Sequence, residues 1–251
     1  MLVSLMYHHV ESNKYTNSSI VIGEHFKYIS KKFVTIYPQE YKKSIFNTQL
    51  CLVFDDAYFD FYHYVYPLLK KYKIKAILAV PTSYILDSSI LSSRVRLDCT
   101  HDEIMVPGNY EPSAQFCTWD EINEMANSGF VEVASHGVKH LDLQRCDRKT
   151  CLSELVLSKK IIKLKTGLTP KIFVYPYGKY DKNILGETNL HYLFSFSIGR
   201  FININPKNTV IHRINADSMK NPLSIFSLKS RIIYIILSLL ISLVPNLRNK
   251  V

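Results

Sequence analysis

The chain has 251 residues, 47% hydrophobic and 21% charged, which fits one large or two small globular domains and excludes a disordered or fibrous protein. Lys and Arg number 31 against 21 Asp and Glu, a formal charge of +10. Lys220, Lys229, Arg231, Arg248 and Lys250 all follow Asp217, the last acid, so half of the excess is a tail property and a nucleic-acid-binding face is not implied.

The first residues, Met-Leu-Val-Ser-Leu-Met-Tyr, lack a basic n-region, a long apolar h-region and a small-residue cleavage site, so no export signal is read and a cytoplasmic compartment is expected. In chain order the pattern predicts a strand over 2–7, a helix over 24–32, a strand over 50–54, a helix over 58–72 and a strand over 75–80. A helix over 119–127 follows, with Thr118 and Glu121 as a capping box and Gly129 closing it. Then come a strand over 130–134, a helix over 148–165 capped by Asp147 and ended by Gly167 before Pro170, and a strand over 171–175. This alternation predicts parallel strands joined by right-handed crossovers, in an open α/β sheet or a barrel. Residues 87–117, with Pro107, Gly108 and Pro112, break the rhythm and read as a long insertion. The five cysteines (Cys51, Cys99, Cys117, Cys146, Cys151) are odd in number with no C-x-x-C pair, so neither a disulfide framework nor a cysteine zinc site is expected.

In parallel α/β architectures, sites gather where strands end. One such end carries Asp55 and Asp56: one of two adjacent carboxylates can hold a metal while the other stays free as a base. A second runs through Ser135-His136-Gly-Val-Lys-His140. Histidines four apart on a helical turn put both imidazoles on one face, within reach of one cation. With one carboxylate they would leave open positions for water and substrate. The third is the Tyr175-Pro176-Tyr177-Gly178 turn, which can aim a backbone N–H into a cleft. His8 and His9 end the first strand and could line the same cleft.

Met6-Tyr7-His8-His9, Phe54-Asp55-Asp56, Ser135–His140 and Tyr175–Gly178, in this order, resemble the polysaccharide deacetylase family (the NodB homology domain of the carbohydrate esterase family 4 type). The stretch from Trp119 to Gly129 is also similar to it. The resemblance covers residues 2–217 and implies an α/β fold, a distorted (β/α) barrel that removes acetyl or formyl groups from the nitrogen of amino sugars. It implies Asp56, His136 and His140 as ligands of a divalent metal, most often Zn2+, with Co2+, Ni2+ or Mn2+ as alternatives. Asp55 would be the general base, and the backbone N–H of Tyr177 would hold the oxyanion. His8, Pro176 and Tyr177 would contact the substrate.

Three departures stand out. Ala57 occupies a position that is usually Gly, which matters if its φ is positive. Val174 stands where an Arg often tunes the base, so that charge has to come from elsewhere. The late histidine that protonates the leaving amine has no clean match, and His212 is the nearest candidate.

The expected organisation is a catalytic domain over 1–217 and a basic, apolar helical tail over 218–251. Within that tail, 232–244 is apolar except for Tyr234, Ser238 and Ser242. At ~1.5 Å per residue a helix there is too short for a ~30 Å hydrocarbon core. It reads either as a core helix or as an in-plane anchor at the inner membrane face, and its purely basic flanks favour the anchor. A cytoplasmic enzyme would meet a nucleotide- or lipid-linked sugar precursor rather than finished polymer. The rival reading is a deacetylase fold that binds carbohydrate without turnover.

Overall fold

The computed structural model describes residues 1–44, 47–104, 106, 108–199, 202, 203, 210–221, 223, 226 and 236. In chain order the elements are β1 (Leu2–Tyr7), β2 (His9–Val10), β3 (Thr16–Asn17), α1 (Ser19–Lys32), β4 (Val34–Thr35), β5 (Gln49–Phe54), α2 (Tyr66–Tyr72) and β6 (Ala76–Val80). They continue with α3 (Ser93–Leu97), α4 (His101–Ile104), α5 (Trp119–Asn127), β7 (Val131–Ser135), α6 (Arg148–Thr166), β8 (Ile172–Val174), α7 (Lys182–His191), β9 (Phe194–Ile198) and β10 (Ile211–Asn215). The sheet order β1-β10-β9-β8-β7-β6-β5 closes through β1–β5 pairing into a seven-stranded parallel barrel, with β4 paired alongside the start of β5.

Side-chain alternation along each strand sorts residues into two cores. Leu2, Cys51, Val53, Ile77, Ala79, Ala134, Ile172, Val174, Phe196 and Ile211 fill the barrel. The intervening residues, such as Leu5, Leu52, Leu78 and Val133, pack outward against the helices. In α1, Ile22, Phe26 and Ile29 recur at helical spacing and are fully buried on that outer face. Each contributes roughly 1.5–3 kcal/mol by burial.

Local chemistry explains most of the boundaries. Helix α1 begins well before residue 24 because the Ser18 side chain accepts the Val21 N–H. The Thr118–Glu121 capping box and the Asp147 cap form as expected. The helix expected over 58–72 forms as one continuous run over 59–72, with Phe61–Val65 as a π-helical turn and Pro67 at the start of the α-helical part that follows, where a residue without an N–H is tolerated. The sequence pattern misses α7, which buries only Ile184 and Thr188 and so has little apolar periodicity to show.

The 87–117 segment is anchored by the buried Arg96, whose guanidinium donates to the carbonyls of Ala114 and Phe116 and to both carboxylate oxygens of Glu121. The apolar tail 232–244 lies outside the described residues, apart from Ile236. Among the described residues no helix is long and apolar enough to cross a membrane.

Candidate active site

Asp55 continues the interior side of β5 set by Cys51 and Val53, so its carboxylate enters the mouth of the barrel. The next two residues turn the chain sharply, with Asp56 at φ 67° and Ala57 at φ 54°. Ala57 therefore does occupy the left-handed region that glycine adopts freely, at a cost of about 1–3 kcal/mol that the surrounding fold offsets.

His136 also lies on the interior parity, one residue past β7. Its Nδ1–H donates to the Val174 carbonyl at 2.7 Å, which fixes the tautomer and leaves Nε2 a lone-pair donor facing inward. His140 is not brought beside it by a helical turn, as the spacing predicts. Residues 136–140 form a loop in which Gly137 has φ 83° and His140 φ 54°. Buried Glu154 of α6 organises that loop, accepting the N–H groups of Val138 (2.8 Å) and Lys139 (3.0 Å). A Cβ at position 137 would lie 2.6 Å from its carboxylate oxygen, so the glycine makes room for this bond. Burial pushes the Glu154 carboxyl up, against the pull of those N–H groups.

The Tyr175–Gly178 turn places Tyr177 at φ 57°, with its ring 4.8 Å from that of His140. Gly178 has φ 67°, and a Cβ there would lie 2.6 Å from Ile198 Cγ1 and 2.8 Å from Ile198 N. Gly178→Ala should therefore cost about 2–4 kcal/mol from the strained dihedral and the clash with fixed backbone. The loss is read as a lower urea midpoint at unchanged m-value.

Arg213 supplies the charge absent at Val174. It is fully buried on the interior side of β10, and its Nη1 donates to Asp55 Oδ1 at 2.5 Å. The same alternation corrects the reading of His212. One residue earlier on the strand, it faces away from the barrel interior, with its Nδ1 3.4 Å from the Ile198 carbonyl, and it does not line the cavity.

His8 does line it. Its Nδ1–H donates to Asp217 at 2.7 Å, and its Nε2 is 3.8 Å from Asp55 Oδ2. Burial alone would lower the His8 pKa, but Asp217 outweighs it and the group is raised to about 9. His9 turns instead to buried Asp60, and Pro176 is buried without lining the cavity. Arg213 and Asp217 were not singled out in the sequence. The sequence offered only an Arg on a strand-like run and an Asp at its exit, with nothing to say which side of that strand faces inward.

His8, Asp55, Asp56, His136, His140 and Tyr177 share a cavity of about 760 Å3, whose walls also include Tyr84, Tyr110, Lys139, Arg145 and Lys179. Within it Asp56 Oδ1 lies 3.6 Å from His136 Nε2 and 3.4 Å from His140 Nε2. One ligand atom from each of the three residues falls within 4.8 Å of the others. Asp56 Oδ1 is buried without a hydrogen-bond partner among the described residues. An orphaned carboxylate oxygen facing two imidazole nitrogens, one of them with its tautomer fixed, fits a divalent cation. Burial would raise the Asp56 carboxyl, yet His140, His136 and His8 hold it well below the usual range. Burial lowers His140 to about 4, which keeps its nitrogen free to ligate.

A barrel of this topology with an Asp-His-His group at its mouth defines a class, and comparison with known proteins gives the family. Residues 47–193 match the polysaccharide deacetylase family model, and the chain belongs to that family. It is 27% identical over 191 residues to the YxkH protein of Bacillus subtilis (strain 168), which bears the family's name; the match takes in 72% of this chain and 58% of that protein's length. The fold is similar to the deacetylase PplD of Streptococcus pyogenes, with a TM-score of 0.72 and 20% identity over 90% of this chain and 96% of that one. It is also similar to a de-N-acetylase from Aggregatibacter actinomycetemcomitans, with a TM-score of 0.69 and 21% identity over 88% and 96% of the two chains.

Proposed function

We propose that this protein is a metal-dependent hydrolase that removes an N-acetyl or N-formyl group from an amino sugar, with residues 1–217 as its catalytic unit. The observation that carries the reading is the convergence of Asp56, His136 and His140 with a separate, Arg-paired carboxylate, Asp55, in one cavity.

A divalent metal held by those three residues, most often Zn2+, would supply Lewis acidity and lower the pKa of water towards ~7. Asp55 has one oxygen pinned by Arg213 and the other open to take the proton of the attacking water. The Tyr177 N–H is the donor to the developing oxyanion, a role worth roughly 3–4 kcal/mol. His8 replaces His212 as the acid that protonates the departing amine as the C–N bond breaks. The Asp55–Arg213 pair favours turnover over a purely carbohydrate-binding role, since the base keeps the partner cation that Val174 does not supply. Lys139, Arg145 and Lys179 on the cavity wall, only partly offset by Asp142, favour a substrate carrying phosphate, as a nucleotide- or lipid-linked sugar does.

The direct test is calorimetric zinc titration of metal-stripped protein, wild type beside His140→Ala, followed by assay of acetate and formate release from N-acylated amino sugars. One tight site that His140→Ala abolishes is expected. A folded wild type without such a site would overturn the mechanism.

The His8–Asp217 pair gives a second handle. His8 must be protonated to act as the acid, so kcat/KM should fall as pH rises through the His8 pKa. Asp217→Asn removes the group that raises that pKa, and the alkaline limb should move to lower pH. The pair also stabilises the fold. Because the folded pKa, about 9, lies above the unfolded value of ~6.5, that contribution is complete below about pH 6.5 and is lost as pH rises to about 9. The stability gap between metal-free wild type and Asp217→Asn should accordingly narrow over the same interval in urea titrations.

A further inference from the structure

We propose that His101, on the short helix α4 of the 87–117 segment, orients the substrate by accepting a hydrogen bond from a sugar hydroxyl, and that buried Asp60 and His9 set the tautomer that makes it an acceptor. The substrate part of this assignment rests on the deacylase reading above; the tautomer part does not.

Hydrogen-bond bookkeeping runs outward from the interior. Asp60 is only 6% exposed, and its Oδ2 accepts from the Val10 N–H at 3.1 Å and from His9 Nδ1 at 2.7 Å. A carboxylate only accepts, so a hydrogen sits on His9 Nδ1; carrying that one hydrogen, the ring presents a lone pair at Nε2. The Tyr58 ring stacks on His9 with centroids 3.6 Å apart, which holds the imidazole in that orientation.

His9 Nε2 lies 3.2 Å from His101 Nδ1. Two ring nitrogens bond only if one of them carries the hydrogen, and here it has to be His101 Nδ1. Tyr58 Oη is also 3.2 Å from His101 Nδ1. That oxygen carries lone pairs and offers a second acceptor for the His101 hydrogen. Each ring hydrogen of the array then has an acceptor, and the His101 Nδ1–H points back towards His9.

What remains on His101 is Nε2, which takes none of these bonds and is left with a lone pair. The side chain forms part of the cavity wall together with Asp55, His136 and Tyr177, with the Tyr15 ring edge-on at 5.1 Å. Burial holds the His101 pKa below its usual range, which favours the neutral ring. A neutral acceptor in the wall selects for hydroxyl donors, in which an amino sugar is rich. It gains nothing from an acyl carbonyl or a phosphate oxygen. His101 is thus complementary to the cationic side chains of the same cavity, and it gives the 87–117 segment a part in choosing the sugar.

Two measurements test this. Long-range 15N–1H NMR of the histidine rings in metal-free protein should show His9 and His101 both as Nδ1–H tautomers, the minor form in water. A hydrogen on His101 Nε2, or a doubly protonated ring, would overturn the assignment whatever the enzyme's substrate. With N-acetylated chitopentaose as probe, His101→Ala should raise KM about tenfold at little changed kcat, the loss of one hydrogen bond to a neutral acceptor. His101→Gln, which returns an acceptor oxygen, should recover most of that loss. A fall in kcat and thermal stability together, with KM unmoved and no rescue by Gln, would show a structural role and sink the proposal. If wild-type protein does not turn over the probe, the deacylase reading suffers for that sugar, and the tautomers alone decide.

Discussion

Arg213→Met is expected to lower the stability of the metal-free protein by about 3–5 kcal/mol, the range for removing one partner of a buried ion pair. The guanidinium is fully buried, and Asp55 is 4% exposed. Met keeps most of the volume and bends to fill gaps, so the loss comes from a carboxylate left in the barrel without its cation. A double-mutant cycle separates this from packing. If the charge is the cause, Asp55→Asn introduced on top of Arg213→Met should restore part of the stability, with a favourable coupling energy between the two positions. Urea unfolding of the four proteins measures it. A cost below about 1 kcal/mol for Arg213→Met would mean that water already reaches the pair.

Asp55→Asn alone should show the opposite separation, with turnover lost and almost everything else kept. The amide oxygen can still accept from Arg213 Nη1, so the barrel mouth keeps its hydrogen bond. Asp55 is not one of the three residues grouped around the candidate cation, so zinc affinity should stay close to wild type. Loss of a general base costs about 10²–10⁴-fold in rate. Acetate or formate release and zinc calorimetry on one preparation give both numbers. Unchanged turnover would remove Asp55 from the mechanism, and loss of zinc would make it a ligand.

Much of this site could be read from the sequence because its chemistry is local. Asp55 and Asp56, His136 and His140, and the Tyr175–Gly178 turn each sit within a few residues of a strand end, where apolar runs give way to polar ones. Strands β1, β5, β6, β7 and β8 were legible for the same reason, being short, β-branched or aromatic and cleanly bounded, whereas β9 was not read. What escaped notice was set by distance along the chain or by parity. Arg213 meets Asp55 across 158 residues, and only closure of the barrel brings β10 beside β1. His212 and Arg213 are neighbours, and choosing between them needs the interior side of β10, which a five-residue strand with both faces buried does not reveal. The H-x-x-x-H spacing looked helical because an i, i+4 pair is the commoner way to align two imidazoles. The carboxylate that replaces the helix, Glu154, comes from the next helix and leaves no mark near the motif except Gly137.

The joint between β7 and β8 has a consequence of its own. Among the described residues these strands share one paired position, Ser135 with Phe173, and the wall is spanned just beyond it by the bond from the His136 ring to the Val174 carbonyl. The barrel is thus a hoop fastened at its thinnest point by a side chain that also faces the reaction centre. Selection cannot loosen that clasp to retune the site without opening the hoop. His140 sits on a loop tied to α6 and carries no such obligation. If descendants of this protein come to hold a different cation, the change should begin at His140 and its loop, with His136 the last to move.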